Sequence, residues 1–463
     1  MHTTPTLEKT KWILIICLLL IWTSALATAP RDHQIEAEDY FDLTVLGNLS
    51  VSPDGSEVAY SESRWGRGKE GRSTDLWVAG THGKSNRRLT FDGFGAGSPV
   101  WSPSGKAIFF LGRSQGGLEK APHDGTLQIW RQDPAGGQPV AMTRVEKGVS
   151  AFQLSPDGNS LYYKVSKEVT EAPWKDLKEK YPDLEFGHGV RTIHGLRKLD
   201  LNTWRDEEVW AAENVIWEMA LSPNGQKMAM ITTEDNEAIF KEGWSRVDVL
   251  DLASGEITSL TDQAWRETHK SPYGWLEDLA WSGDSKAVAF SISYDGFASN
   301  IWIAENNGSN WSLQLVNRPE MVTYSGGLTW RGQDRTLCFN GESMARVRIY
   351  GIDDVRKGSQ GKSRVLAGGD IVVGSFTFDS KGRKLVANIE TTTAANDLFL
   401  INGETKRFQL THSNPQVDSW VLPQIKHVNW KGADGDDCYG ILELPAGYKK
   451  EDGPLPTIIE LHG

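Results

Sequence analysis

Cysteine is scarce, with three in 463 residues at positions 17, 338 and 438. Cys17 belongs to the leader described below, which leaves Cys338 and Cys438. A disulfide is permitted in an oxidising compartment, but two cysteines in separate units are more often unpaired. Basic residues are also in deficit, 49 against 61 acidic, for a formal charge of -12. No basic cluster stands out, so nucleic acid is not an expected partner, and the acidity reads as a solvated surface. Metal-ligand spacing is missing too. His188 and His194 flank a glycine-rich stretch, yet no acidic residue or cysteine sits at ligand distance in sequence, and loop histidines of this kind read as polar surface. No metal or cofactor is expected.

Charge is absent from Trp12 through Pro30, at the start of the chain. Lys9 and Lys11 precede an eleven-residue apolar core, Trp12 to Trp22, and Ala25-Leu26-Ala27 is a small-residue cleavage site. This pattern predicts a signal peptide over residues 1–27 and a secreted or periplasmic protein. The alternative is an N-terminal membrane anchor, but the strongly apolar core is short for a span. No stable membrane span is expected after cleavage.

What the chain has in abundance is one ten-residue unit. Leu154-Ser155-Pro156-Asp157-Gly158-Asn159-Ser160-Leu161-Tyr162-Tyr163 reads as a strand end, a turn and a second strand. Proline presets φ, serine bonds the local backbone and glycine tolerates the exit geometry. The unit returns at Ser52-Pro53-Asp54-Gly55, Ser102-Pro103-Ser104-Gly105, Ser222-Pro223-Asn224-Gly225 and Ser282-Gly283-Asp284-Ser285. Worn copies follow at Arg331-Gly332-Gln333-Asp334 and Asp379-Ser380-Lys381-Gly382. The first residues of the seven turns lie 50, 53, 67, 60, 49 and 48 positions apart. A period near fifty with short strands in each copy is the mark of a β-propeller, one four-stranded blade per repeat. Nineteen tryptophans and 47 glycines suit that architecture. Third strands are expected at Asp75–Val78, Leu127–Trp130, Val247–Leu250, Asn300–Ile303 and Asp397–Leu400. Fourth strands are marked by Leu89-Thr90, Leu260-Thr261 and Leu410-Thr411. The first repeat begins at its own innermost strand and the seventh owns its outermost, so the ring should close by packing, without a borrowed strand.

The expected division is a lead-in at 28–45 with a short acidic helix, a seven-bladed propeller at 46–412, a linker at 413–428 and a further domain from 429 to 463. The third repeat is longest. Its insertion at about 166–196 carries two helical turns, Trp174 to Tyr181, and is a candidate flap over a ring opening. Past Thr411 strands are expected at Ile425–Trp430, Tyr439–Leu444 and Pro456–Leu461, ending in His462-Gly463. The apolar residues of this last part have nothing to cover them, so residues 413–463 are expected to be poorly ordered or self-associating.

At Asp434-Gly435, Tyr439-Gly440-Ile441-Leu442, Pro445 to Tyr448 and Pro456 through Gly463, the chain resembles the prolyl oligopeptidase family of serine peptidases, nearest its acylaminoacyl-peptidase and dipeptidyl-peptidase branch. The resemblance implies an all-β fold here, a seven-bladed propeller followed by the first strands of a truncated α/β-hydrolase domain. It implies peptide substrates and a Ser, Asp and His triad, in that order, beyond Gly463. Of the HGGP segment that helps form an oxyanion hole in such enzymes, His462 and Gly463 are present.

Gly112-Arg113-Ser114-Gln115-Gly116 matches a nucleophile pattern, but no helix follows it, so Ser114 is read as non-catalytic. Glu237, Glu242, Glu267 and Glu277 could grip a peptide amino terminus, as acidic propeller residues do in some relatives of that family, though acidic loop residues are common in so acidic a chain. The reading is the propeller portion of an exported serine peptidase. The rival is a non-catalytic periplasmic scaffold of the Tol-associated type.

Overall fold

Six of the seven turns are closed by the side chain of the residue that opens them. In the computed structural model, which describes residues 34–461 apart from 67, 92, 185–188, 261, 262, 268, 272, 309 and 334, the Ser52 Oγ accepts the Glu57 N–H at 3.0 Å. The Ser102, Ser155, Ser222 and Ser282 hydroxyls accept the N–H five residues on in the same way. In the seventh copy Asp379 takes the role, accepting from Lys384 N at 2.9 Å. The turn's fourth residue sits in the left-handed region (Gly158, φ 75°), and a Cβ there would meet Pro103 of the preceding turn at 3.0 Å. Glycine is needed there twice over.

The turns join antiparallel strands. Among the described residues, pairing divides into seven four-stranded groups, here blades 1–7. Blade 1 holds Val45–Val51, Glu57–Trp65, Arg72–Gly80 and Asn86–Arg88. Blade 7 holds Val372–Phe378, Leu385–Thr391, Ala394–Ile401 and Arg407–Gln409. Blades 3 and 4 share one strand, Asp206–Leu221, whose first part pairs outward with Val190–Asp200 and whose second part pairs with Lys227–Thr233. The fold is an all-β propeller.

Two side-chain devices recur. The first clasps the outer hairpin. Thr90 Oγ1 donates to Asp75 and accepts the Leu76 N–H, and Thr143 with Gln128 and Thr411 with Asp397 repeat the arrangement. Leu89-Thr90 and Leu410-Thr411 of the sequence therefore mark a specific polar lock, which Met142-Thr143 shares, while Thr261 lies outside the described residues. The second device crosses between blades. Trp101 Nε1 donates to Ser50 O at 2.9 Å, Trp281 Nε1 to Ala220 O at 2.9 Å and Trp330 Nε1 to Ala280 O at 3.1 Å. Each indole thus binds the inner strand of the preceding blade while its rings pack in the interface core.

The ring closes between blades 7 and 1 by packing. Leu46, Val51, Val58 and Tyr60 share a buried cluster with Val386, Leu398, Leu400 and Leu410. Thr44 and Asn414 exchange two hydrogen bonds, and Asn388 Nδ2 donates to Leu46 O at 2.8 Å.

Several elements differ from the sequence expectation. The third-repeat insertion is an extension of regular structure. Ser160–Thr170 and Val190–Asp200 stay paired out to Thr170 and Val190, with the helix Ala172–Lys180 at the tip. The lead-in is a 3₁₀ turn, Ala37–Asp42. Past the ring, Pro415–Ser419 is another such turn, and the next strand begins at Gln424, inside the expected linker. Gln424–Lys431 and Asp437–Leu444 form an ordered hairpin. The expected strand at 456–461 is not formed. No neighbouring strand accepts its backbone, and Ile458 is 96% exposed.

Replacing Trp281 with Phe keeps the ring in the interface but leaves the Ala220 carbonyl without its donor. The expected cost is about 1–3 kcal/mol, read as a lower urea midpoint, and a smaller loss is expected on replacing a partly exposed tryptophan such as Trp311.

Candidate functional site

Strand alternation sorts the loops onto two ends of the ring. Turns after first and third strands lie at one end, and loops after second and fourth strands at the other. The chain also enters and leaves at that second end, where Gln34 bridges Val421. The same end exposes large apolar side chains, among them Tyr40, Phe91, Leu118, Trp244, Tyr273 and Phe297. It is the end on which the candidate residues fall.

Ser114 lies at the edge of Ile108–Gln115, and its Oγ is 3.0 Å from His123 Nδ1. The pair resembles a nucleophile and base, but a hairpin follows, not a helix. Gln115 pairs with Asp124 across it, and the Asp124 carboxylate is occupied by Thr126. No elbow is built. His188, His462 and Gly463 lie outside the described residues.

His194 corrects the sequence reading. It is a buried strand residue, because the insertion continues as a paired hairpin. Its Nδ1 accepts the Ile216 N–H at 3.0 Å, while Lys164 Nζ donates to Ile216 O at 2.7 Å. Together they pin the shared strand where it passes from blade 3 to blade 4. Burial, with the Lys164 charge adding to it, pushes the His194 imidazole down to about 4. Burial lowers the Lys164 ammonium to about 8.

The four glutamates divide. Glu237 starts the helix Ala238–Trp244, and Glu242 within it accepts Gly274 N–H at its carbonyl. Glu277 lies 3.8 Å from Lys241 Nζ and accepts from Ser293 Oγ at 3.1 Å. Glu267 is exposed. The structure thus gathers Lys241, Glu242 and Glu277 over blades 4 and 5. The third-blade arm leans the same way, with Thr192 N–H donating to Asn236 Oδ1 at 2.7 Å.

Two acids here were missed in the sequence. Glu218 Oε2 accepts the Leu279 N–H at 3.2 Å, and Asp278 accepts the Tyr324 hydroxyl. Burial raises the Glu218 carboxyl, and the neighbouring Asp278 and Glu277 charges raise it further. Both stand four residues before their turn serine, where blades 1 and 2 carry Asn48 and Ser98. That alignment was the available signal. Glu218, Glu277 and Asp278 thus gather on the inner strands of blades 4 and 5, with Lys241 beside Glu277. Among the described residues, no group of three His, Cys, Asp or Glu side chains could hold a metal ion.

No family model matches the chain. It is 22% identical over 259 residues to the uncharacterized peptidase YuxL of Bacillus subtilis, covering 56% of this chain and 31% of that protein. It is 24% identical over 286 residues to dipeptidyl-peptidase 5 of Porphyromonas endodontalis, covering 55% and 38%. The chain therefore spans about a third of the length of these curated relatives. Pyrococcus horikoshii acylaminoacyl peptidase superposes with a TM-score of 0.64 at 15% identity, over 88% of this chain and 59% of that one. The propeller domain of the Trilobed protease from Pyrococcus furiosus, described as having an open velcro topology, gives 0.53 at 14% identity, over 80% and 99%. These findings support the prolyl oligopeptidase family. The solved structures speak for the fold, and the two curated peptidases carry the family reading.

Within that family's fold, His194 makes a pH-dependent contribution. Its folded pKa is depressed, so its stability is present above about 6.5 and lost as pH falls toward about 4. The loss is on the order of 2–3 kcal/mol. Denaturant titrations at pH 7 and pH 4.5 should show a smaller acid penalty in His194→Gln than in the native chain.

Proposed function

We propose that this chain is the propeller portion of an exported serine peptidase that hydrolyses short peptides. The ring admits small or unfolded substrates to an active site whose nucleophile, acid and base lie outside these 463 residues. The supporting observation is that both curated relatives are peptidases. The order of elements adds to it, since a hairpin and an extended apolar segment follow the last blade, where a scaffold has no use for them. The end of the ring where the chain enters and leaves carries exposed apolar side chains, among them Tyr40, Phe91 and Trp244, and the acids of blades 4 and 5. In this reading it faces the catalytic domain, and the acids favour substrates with a free amino group. Residues 1–27 direct export, and the mature protein starts near Thr28.

Catalysis of this type needs an activated serine, its base and oxyanion donors in one constellation. The Ser114–His123 pair lacks the other parts. The complete reading frame of the source gene should hydrolyse chromogenic peptides and react with a serine-directed phosphonate, while the 463-residue chain should do neither. Ser114→Ala in the complete enzyme should leave turnover within a few-fold, against a loss on the order of 10⁴-fold for a true triad residue. Inhibitor-sensitive hydrolysis by the 463-residue chain would overturn the proposal, and an inert complete protein would favour the scaffold.

A further inference from the structure

The inner strands are not evenly packed around the ring. Val45–Val51 packs against Gly97–Trp101 and Val372–Phe378, and Trp275–Trp281 against both of its neighbours, but Gly97–Trp101 touches Ala151–Leu154 less, as Thr323–Trp330 does Val372–Phe378. Two local causes coincide at this gap. In blades 3, 6 and 7 the residue nine positions after the one that opens the turn donates to an inner-strand carbonyl of the next blade, through Lys164, Asn340 and Asn388. Ser61 and Ser291 bind an inner-strand carbonyl of their own blade from the same position. Blade 2 has Leu111 and blade 4 has Ile231 there, neither of which carries a donor. Blade 3 also has the shortest inner strand, four residues, without the register shift seen in those of the other six blades.

At this seam a cavity of about 320 Å³ lies on the inner strands of blades 1–3. Val100, Leu111 and Phe152 form its apolar part, and Asn48, Ser98 and Gln153 carry its hydroxyl and amide groups. None of its lining residues is charged, in a chain where 24% are. This uncharged lining suits an apolar side chain at Val100, Leu111 and Phe152 and a flanking amide at the hydroxyls of Ser98 and Ser150, since Asn48 Nδ2 already donates to Ser61 and Gln153 Nε2 to Met219. Asn48 and Ser98 both stand at positive φ, 50° and 51°, within the register shifts that turn their strands.

We infer that this cavity is a binding subsite for an uncharged peptide segment presenting one aliphatic or aromatic side chain. It is distinct from the acidic patch of blades 4 and 5, and it rests on the reading of the chain as a peptidase propeller. The two regions divide recognition by chemistry. The acids receive charge, and the blade 2–3 cavity receives apolar bulk without charge.

The test uses the 463-residue chain and two neutral probes, N-acetyl-leucyl-leucinamide and N-acetyl-seryl-serinamide, in ligand-observed saturation-transfer NMR. The leucyl probe should show transfer at least severalfold stronger than the seryl probe. Ala151→Trp fills the cavity and should abolish the difference. Ser98→Asp keeps a residue that tolerates positive φ and places a charge in the cavity, so it should weaken leucyl binding about tenfold or more even where the tryptophan variant fails to fold. Equal transfer from both probes, or undiminished leucyl transfer in folded Ser98→Asp, would overturn the subsite. Hydrolysis of leucyl peptides by the complete enzyme is read separately. Such hydrolysis without binding here removes the subsite alone, whereas an inert complete enzyme removes the peptidase reading.

Discussion

A four-stranded antiparallel blade has two faces to bury and cannot bury either alone. Everything in this ring follows from that dependence of each blade on its neighbour. The indole N–H of Trp101, Trp281 and Trp330 shows how the dependence is met. One side chain fills the interface and also satisfies a carbonyl of the preceding inner strand, so apolar packing and backbone satisfaction come from the same residue. Where tryptophan is missing, other groups take over part of the work. Gln153 Nε2 reaches Met219 O, and Asn388 reaches Leu46 O across the closing seam.

The readable features of the sequence were those set by local chemistry. Ser-Pro-Asp-Gly is legible because its hydroxyl, fixed φ and left-handed glycine act within six residues. Leu-Thr is legible for the same reason, as the threonine closes a hairpin of its own blade. Features set by distant partners were not. His194 looked like a loop residue because its strand is defined by pairing with Ser160–Thr170, across the 19 intervening residues. Pro456–Leu461 looked like a strand because its composition is right, but a strand exists only when another accepts its hydrogen bonds. Glu218 and Asp278 stand between these cases. The repeat register already placed them at one tier of the ring, but their opposition to Leu279 and Tyr324 depends on the curvature of the closed ring.

The candidate sites follow the same division. The family likeness rests on the residues of the hairpin and beyond it and on the peptidase relatives, while the propeller itself is a frame on which different sites can be placed. What distinguishes this ring is its departures from repetition, which are lysine in place of asparagine in blade 3, leucine in blade 2 and carboxylates on blades 4 and 5. A perfectly repeated propeller would have seven equal seams and no preferred direction from which to meet a ligand.

The strand Asp206–Leu221 breaks that equality in another way. Its sixteen residues are the outer edge of one blade and the inner edge of the next, with no turn between. In the other blades a separate connection joins the outer strand of one blade to the inner strand of the next. Here rim and axis lie on one continuous, hydrogen-bonded backbone, and the arm on blade 3 branches off beside the point where that strand crosses from one blade to the next, at His194 and Asn214. Any ligand held by the arm would therefore sit against the one seam that cannot open without breaking a strand.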